Sequence, residues 1–355
     1  MSDSTQRLGV SDADLAWCHE AVGGVSRTFA LTVDVLEEPM ASYICVGYLV
    51  CRIADTIEDA ESIPADEQAR LLRLYDRTLD PDGGDVAAFA DAAAEHRPEA
   101  GSPDWEVVAS APRVIRILGD FPPDVREAVV PPARELVRGM AMFVERYGDV
   151  GGLRIQSRGE LEEYCHYAAG TVGTLVTNLV ARGDIDGERR GRLYETAEGF
   201  GQLLQLVNIA KDVYADYTRE NNVYLPAEWL ADEGVPQEGV LSEEHASGAT
   251  AVVRRTAAHA RTFLDDAEAY LRAVPTTDGN TLAAWAIPYL LAVGTLRELR
   301  SRPEDALSSR GVKVSRQEVY ALMEAMTGPA GRESLGRLRE RTAEEPFHEA
   351  TSVGD

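Results

Sequence analysis

Apolar residues recur at three- and four-residue spacing along most of the chain. The pattern predicts helices over 12–22, 40–60, 65–79, 104–118, 123–146, 160–181, 188–216, 243–274, 282–300 and 316–326. Helix breakers fall between them: Pro81-Asp82-Gly83-Gly84, Phe121-Pro122-Pro123, the glycines from Gly148 to Gly152, Arg182-Gly183-Asp184, and Asn221-Asn222 ahead of Pro226. No run alternates with period two, no repeat is visible, and every connection is short except the stretch 80–103. These features predict an all-α fold, with one helical domain over 1–330 and a polar, mobile tail over 331–355. Three segments, 43–54 with Ile57, 167–180 and 200–209, are unusually apolar. Gly170, Gly173 and Gly201 lie inside two of them, which calls either for close helix packing or for a smooth wall beside a bulky ligand.

Composition narrows the partners. The 355 residues are 45% hydrophobic, enough for a sizeable core, and no stretch of eighteen apolar residues predicts a membrane-spanning helix. The first ten residues lack an apolar signal core, and the tail lacks an apolar anchor. The expected location is therefore cytoplasmic, with peripheral contact to a membrane surface left open. A net charge of −25 repels nucleic acid and anionic lipid. The basic residues are arginines apart from Lys211 and Lys313. An acidic, lysine-poor, halophile-like surface suits a salt-rich cytoplasm; a genome favouring arginine codons gives the same composition. Cys18, Cys45, Cys51 and Cys165 show no metal-ligand spacing and read as reduced, buried thiols.

Two acidic clusters carry the candidate chemistry. Arg52, Asp55, Glu58 and Asp59 close the first apolar helix, with Arg52, Asp55 and Asp59 on one face. Gln205, Asn208, Asp212 and Asp216 form a polar stripe down a later helix flanked by Leu203, Leu206, Val207 and Ile209. Such a stripe reads as one wall of a lined cavity. Paired carboxylates of this kind suit a hard divalent ion, and Mg2+ held by few carboxylates completes its shell with phosphate oxygens. The bland reading of the first cluster is a solvated helix end with one ion pair. Lys211 beside Asp212 could contact a phosphate. Ser26 and Arg27 stand at a helix entry, where a hydroxyl and a guanidinium either bind an anion or serve as a helix cap. Tyr164 opens the glycine-bearing helix, and its phenol either packs or takes a proton beside a cation. His166 reads as a satisfied core histidine. Gly199-Phe200-Gly201 lies within a helix, so no Rossmann fingerprint is present, and no Walker loop, zinc signature or nucleophile elbow occurs.

The order of motifs is itself informative. Ser26-Arg27-Thr28-Phe29 is followed by Tyr48-Leu49-Val50-Cys51-Arg52-Ile53-Ala54-Asp55-Thr56-Ile57-Glu58-Asp59. Then come Tyr164-Cys165-His166-Tyr167-Ala168-Ala169-Gly170, Asn208-Ile209-Ala210-Lys211-Asp212-Val213-Tyr214-Ala215-Asp216, and Val223-Tyr224-Leu225-Pro226. The chain from Ser26 to Met326 resembles the squalene and phytoene synthase family of head-to-head prenyl transferases. Within that family the Asp-Thr-Ile-Glu-Asp motif, the stretch 286–292 and Gly311-Val312-Lys313-Val314-Ser315-Arg316 are similar to the squalene-forming branch.

The resemblance implies an isoprenoid-synthase helical bundle around an apolar cavity, acting on two molecules of farnesyl diphosphate. It implies Mg2+ (or Mn2+) on Asp55, Glu58, Asp59, Asp212 and Asp216. It implies substrate contacts from Ser26, Arg27, Phe29, Arg52, Gln205, Asn208 and Lys211, and proton transfer at Tyr164. NADPH (or NADH) would lie near Lys211, Lys313, Ser315 and Arg316. This chain departs from the family pattern at Lys211, where many members carry arginine, and at Asn221-Asn222, which replace a basic residue. Arg316 also stands where the second basic residue after Lys313 is displaced. These departures leave phytoene, dehydrosqualene or hydroxysqualene as alternative products. From another class, a non-catalytic acidic helical protein binding divalent ions or a partner also fits the charge.

Overall fold

The computed structural model describes residues 9–60, 62–80, 83–275, 280–327 and 334–350, apart from the side chains of residues 27, 28 and 350. In chain order the helices are α1 (Asp12–Val25), α2 (Arg27–Val35), α3 (Met40–Glu58), α4 (Ala65–Thr78), α5 (Val86–Ala94), α6 (Pro103–Ala109), α7 (Ala111–Asp120), α8 (Pro123–Arg146) and α9 (Arg158–Cys165). A five-residue π-turn, His166–Gly170, leads into α10 (Thr171–Val180). Beyond it lie α11 (Gly187–Glu220), α12 (Ala227–Asp232), α13 (Ala246–Arg261), α14 (Leu264–Ala273), α15 (Thr281–Ser301), α16 (Arg316–Thr327), α17 (Leu335–Glu344) and α18 (Phe347–Ala350). Among the described residues no strand forms, and one isolated parallel bridge joins Arg154 to Val223. The fold is all-α, as the periodicity predicts.

The chain divides into two compact units. The first comprises residues 1–151, 171–185 and 277–280; the second comprises 152–170, 186–276 and 281–355. In the first, α3 is the core, packed by α1, α2, α4, α6, α7, α8 and α10. Its residues from Ala41 to Cys51 are almost all buried, so it is enclosed on most faces rather than along one stripe. Gly47 lets α10 come close: a Cβ there would stand 3.2 Å from Leu175 Cδ2. The carbonyls that α3 leaves open at its C-terminus are collected by one side chain of α4. Gln68 Nε2 donates to Ile57 O at 2.9 Å, Glu58 O at 2.8 Å and Ala60 O at 3.2 Å. Tyr75 Oη, also from α4, donates to Val50 O at 2.9 Å.

In the second unit the 34-residue α11 packs against α9, the π-turn, α13, α14 and α15. Gly201 makes the contact with the π-turn possible, since a Cβ would meet Ala169 O at 2.6 Å. A Cβ on Gly170 would meet the Glu198 carboxylate at the same distance. Close packing thus accounts for both glycines, against backbone at Gly201 and against the Glu198 side chain at Gly170. Asn221, left-handed at φ 52°, ends α11, and Arg154 holds it through bonds to its carbonyl and, at 2.9 Å, to its side-chain oxygen. Arg297 of α15 forms a buried bidentate pair with Glu318 of α16, at 2.8 and 2.9 Å, and also donates to Thr342 O and Glu345 O. Residues 335–344, within the segment read as a polar tail, form α17 with Leu335, Leu338 and Thr342 buried.

Several boundaries differ from the periodicity. α2, α5 and α12 are additional helices, and α5 lies inside the 80–103 stretch read as a connection. Its sequence, nine residues of mostly alanine, shows no apolar stripe, and its main anchor is Phe89. The helix expected over 104–118 breaks at Ser110, because Pro112 suits a first turn and not an interior. The helix expected over 160–181 contains the π-turn, and that over 243–274 breaks after Arg261. All four cysteines are buried and unpaired with one another. α3 and α15 are each long and apolar enough to cross a bilayer by length and composition, yet 78% and 83% of their apolar windows are buried inside the protein.

The Arg297–Glu318 pair generates a stability prediction. Arg297→Ala leaves a buried carboxylate without its partner and lowers stability by about 3–5 kcal/mol, read as a fall in the urea midpoint. Arg297→Met combined with Glu318→Leu recovers most of that loss.

Candidate active site

The first carboxylate cluster belongs to the first unit. The burial of α3 carries its polar end, Arg52 to Asp59, against α6. Arg52 Nε and Nη2 bind Asp104 Oδ1 at 2.8 and 2.7 Å, while Nη1 stands 3.9 Å from Asp55 Oδ2. Asp55 keeps 30% of its side chain accessible but is crowded enough that desolvation pushes its pKa up to about 6. Arg52 opposes that shift and the Asp104 charge adds to it. Asp55 is thus a carboxylate short of positive charge. Asp59, at the end of α3, is half-buried. Glu58, one turn after Asp55, is buried at 7% exposed, so adjacent positions of the same turn differ in accessibility.

Ser26 caps α2, its Oγ accepting the Phe29 N–H at 3.2 Å, which is the ordinary cap reading of that motif. Phe29 stacks on Tyr48 with ring centroids 4.0 Å apart, and burial pushes the Tyr48 phenol up to about 12. Side-chain placement of Arg27, expected to bind substrate, lies outside the described residues.

The second cluster lies on α11. Leu203, Leu206, Val207, Ile209, Ala210 and Val213 are buried. On the same helix Gln205, Lys211, Asp212 and Asp216 are half-buried and Asn208 is exposed. The polar stripe is therefore the accessible side of α11. Lys211 Nζ pairs directly with Asp212 Oδ2.

Tyr164, on α9 in the same unit, is 4% exposed and donates to Tyr224 Oη at 3.1 Å, the two rings lying 4.8 Å apart. Asn222 Nδ2 donates to that same Tyr224 oxygen at 3.1 Å, and its Oδ1 accepts the Leu153 N–H at 2.8 Å. The Asn221-Asn222 departure thus forms a helix cap and a polar anchor for the tyrosine pair. His166 Nδ1 stands 3.0 Å from Glu198 Oε2, and Gln202 Nε2 binds Glu198 Oε1 and Glu162 O, each at 3.0 Å. This accords with a satisfied histidine rather than a metal ligand. Lys313, Ser315 and Arg316 lie just before and at the start of α16, and Ser315 Oγ accepts the Glu318 N–H at 3.2 Å.

Asp104 and Glu198 complete these clusters without having been singled out in the sequence, and Asn222 was read there as a helix breaker and not as a partner of Tyr224. Asp104 and Arg52 are 52 residues apart, beyond the reach of helical spacing. Tyr224 did stand in a quoted motif, but nothing local assigned its oxygen to Tyr164.

The donors suit a hard cation in part. Asp55, Asp59, Asp212 and Asp216 offer accessible or half-accessible oxygens, and Asp55 lacks full compensation. Among the described residues no three His, Cys, Asp or Glu side chains converge into a cage. A set of one or two carboxylates fits Mg2+, which keeps several waters and takes phosphate oxygens from a substrate.

The fold is of the isoprenoid-synthase type. The ligand complex of TcSQS superposes with a TM-score of 0.77 at 24% identity, covering 96% of each chain. The sequence profile described as Squalene/phytoene synthase matches residues 22–318, which takes in every motif from Ser26 to Arg316. The chain belongs to the squalene/phytoene synthase family. It is similar to a squalene synthase of Botryococcus braunii, 27% identical over 225 residues, and to one of Gibberella zeae, 24% identical over 310. Those matches cover 62% and 87% of this chain and 44% and 63% of the relatives' own lengths.

The pKa of Asp55 yields a pH prediction. Its folded value, about 6, lies above the ordinary 3.8, so its contribution to stability is full below about pH 3.8 and is lost as pH rises through about 6. Asp55→Asn therefore raises the Tm of EDTA-treated protein, and by more at pH 7.5 than at pH 5. Equal gains at both values would show that Asp55 titrates normally.

Proposed function

We propose that the protein is a squalene synthase: it joins two molecules of farnesyl diphosphate head to head through presqualene diphosphate and reduces the product with NADPH. The observation that carries this reading is the family match over 22–318. It spans Arg52 and Asp55, the carboxylates of α11, and Tyr164. Asp55, Glu58, Asp59, Asp212 and Asp216 would hold Mg2+, which when bound neutralises the departing diphosphate and lets the allylic C–O bond ionise. The elevated pKa of Asp55 supports a site awaiting a cation. Glu58, being buried, fits a ligand role less well than its neighbours.

Arg52 orients Asp55 and Asp104 and supplies positive charge beside the diphosphate. Lys211, now paired with Asp212, would exchange that partner for a phosphate oxygen. Ser26, Arg27, Phe29, Gln205 and Asn208 would line the substrate. Tyr164 would accept the proton lost after condensation. The bond from Asn222 to Tyr224 then leaves the Tyr224 oxygen fixed toward the Tyr164 hydroxyl. The apolar residues of α10 and α15 would keep water from the cation, which otherwise ends as an alcohol. A cytoplasmic enzyme touching a membrane surface suits a water-insoluble product.

A second reading, a synthase that stops without reduction, has one observation in its favour. Ser315, assigned to NADPH, already caps α16, and Lys313 and Arg316 stand exposed beside it.

Incubation with farnesyl diphosphate and Mg2+, with and without NADPH, separates the two by product. The first reading expects squalene only with NADPH, and the second expects dehydrosqualene or phytoene-type products in either case. Under the first reading Lys313→Ala lowers squalene while presqualene diphosphate still forms; equal loss of both steps would remove Lys313 from the cofactor site. Asp212→Asn lowers turnover at least about 100-fold without unfolding the protein, and EDTA abolishes turnover until Mg2+ or Mn2+ is returned.

A further inference from the structure

Acidic residues outnumber basic ones 60 to 35 in this chain, so a place where three arginines meet and two of them form no ion pair with a carboxylate among the described residues stands out. One occurs in the second unit, where α13 ends, α14 begins and α15 and α17 pack. A small cavity of about 50 Å3 is lined there by Arg261, Arg297 and Arg300, with Leu264, Val293 and Leu296 as its apolar wall.

The three arginines are not equivalent. Arg297 is fully committed: its guanidinium is shared among Glu318, Glu298, Thr342 O and Glu345 O. It is part of the wall. Arg261 is half-buried and binds only a carbonyl, Leu296 O, at 2.6 Å. Arg300 is exposed and reaches Ala343 O at 3.3 Å. Among the described residues no carboxylate forms an ion pair with either. Burial and the neighbouring Arg300 charge both push the Arg261 pKa down, the direction expected of a cation whose surroundings supply no counter-charge. A half-desolvated guanidinium facing a second one is a cost to the fold that an anion between them would remove.

We propose that this cavity is an anion site, separate from the carboxylate clusters, that takes a small phosphate-class oxyanion between Arg261 and Arg300. A guanidinium pair matches phosphate oxygens by charge-assisted bonds, and the carbonyl contacts of both arginines hold them in place without neutralising them. Because α13, α14, α15 and α17 all border the cavity, an occupant would also tie α17 to the helices beneath it. The site stands independently of the proposed reaction.

Thermal unfolding of the full chain in EDTA, titrated with inorganic phosphate and separately with inorganic pyrophosphate at constant ionic strength, tests this. Chloride at matched ionic strength is the control. Saturable stabilisation by phosphate or pyrophosphate is expected, with the apparent affinity lowered at least tenfold in Arg261→Gln and in Arg300→Gln. Arg300 is exposed, so its variant keeps the test valid should Arg261→Gln fail to fold. No stabilisation beyond that of chloride, or the same affinity in wild type and Arg300→Gln, overturns the proposal.

Discussion

Burial of the apolar body of α3 is the constraint that shapes much of the first unit. A helix this apolar must be enclosed, and α1, α2, α4, α6, α7, α8 and α10 pack around it. Its C-terminal turn then cannot reach bulk water freely, although Arg52, Asp55, Glu58 and Asp59 are charged. The fold meets this in three ways. Gln68 takes the open carbonyls, Asp104 takes the Arg52 guanidinium, and Asp55 is left under-compensated with its pKa near 6. That last arrangement leaves a desolvated carboxylate at the end of α3.

In the second unit a comparable role falls to close backbone approach. Gly201 and Gly170 let the π-turn lie directly on α11. The turn fixes the end of α9, and α9 carries Tyr164 toward Tyr224. A π-turn inserts one residue into the helical register and rotates the helix beyond it, so the residues before and after Gly170 face different neighbours. The chain passes there from one compact unit to the other.

Membership in the squalene/phytoene synthase family accounts for the motifs' order, while the local geometry shows what each motif does structurally. Ser26 and Ser315 both act as helix caps, and Asn221 with Asn222 forms a cap and an anchor. Residue types that suggest ligand contact in a linear reading are here also needed to end or begin helices. The two uses are compatible only where a side chain has bonding capacity left over.

Helical class, most helix positions, the buried thiols and both acidic clusters were legible from the sequence, because each depends on residues within two turns of one another. The 3.6-residue period placed Arg52, Asp55 and Asp59 on one face of α3 without any knowledge of the neighbours. What the sequence alone could not supply were contacts between residues far apart in the chain: Asp104 against Arg52, Tyr224 against Tyr164, Glu198 against Gly170. Nor could it supply α5, whose alanines carry no stripe, or the break at Ser110. Those were decided by tertiary packing. Which carboxylate is desolvated, and which hydroxyl is already used, depends on atoms brought together by folding rather than on spacing along a helix.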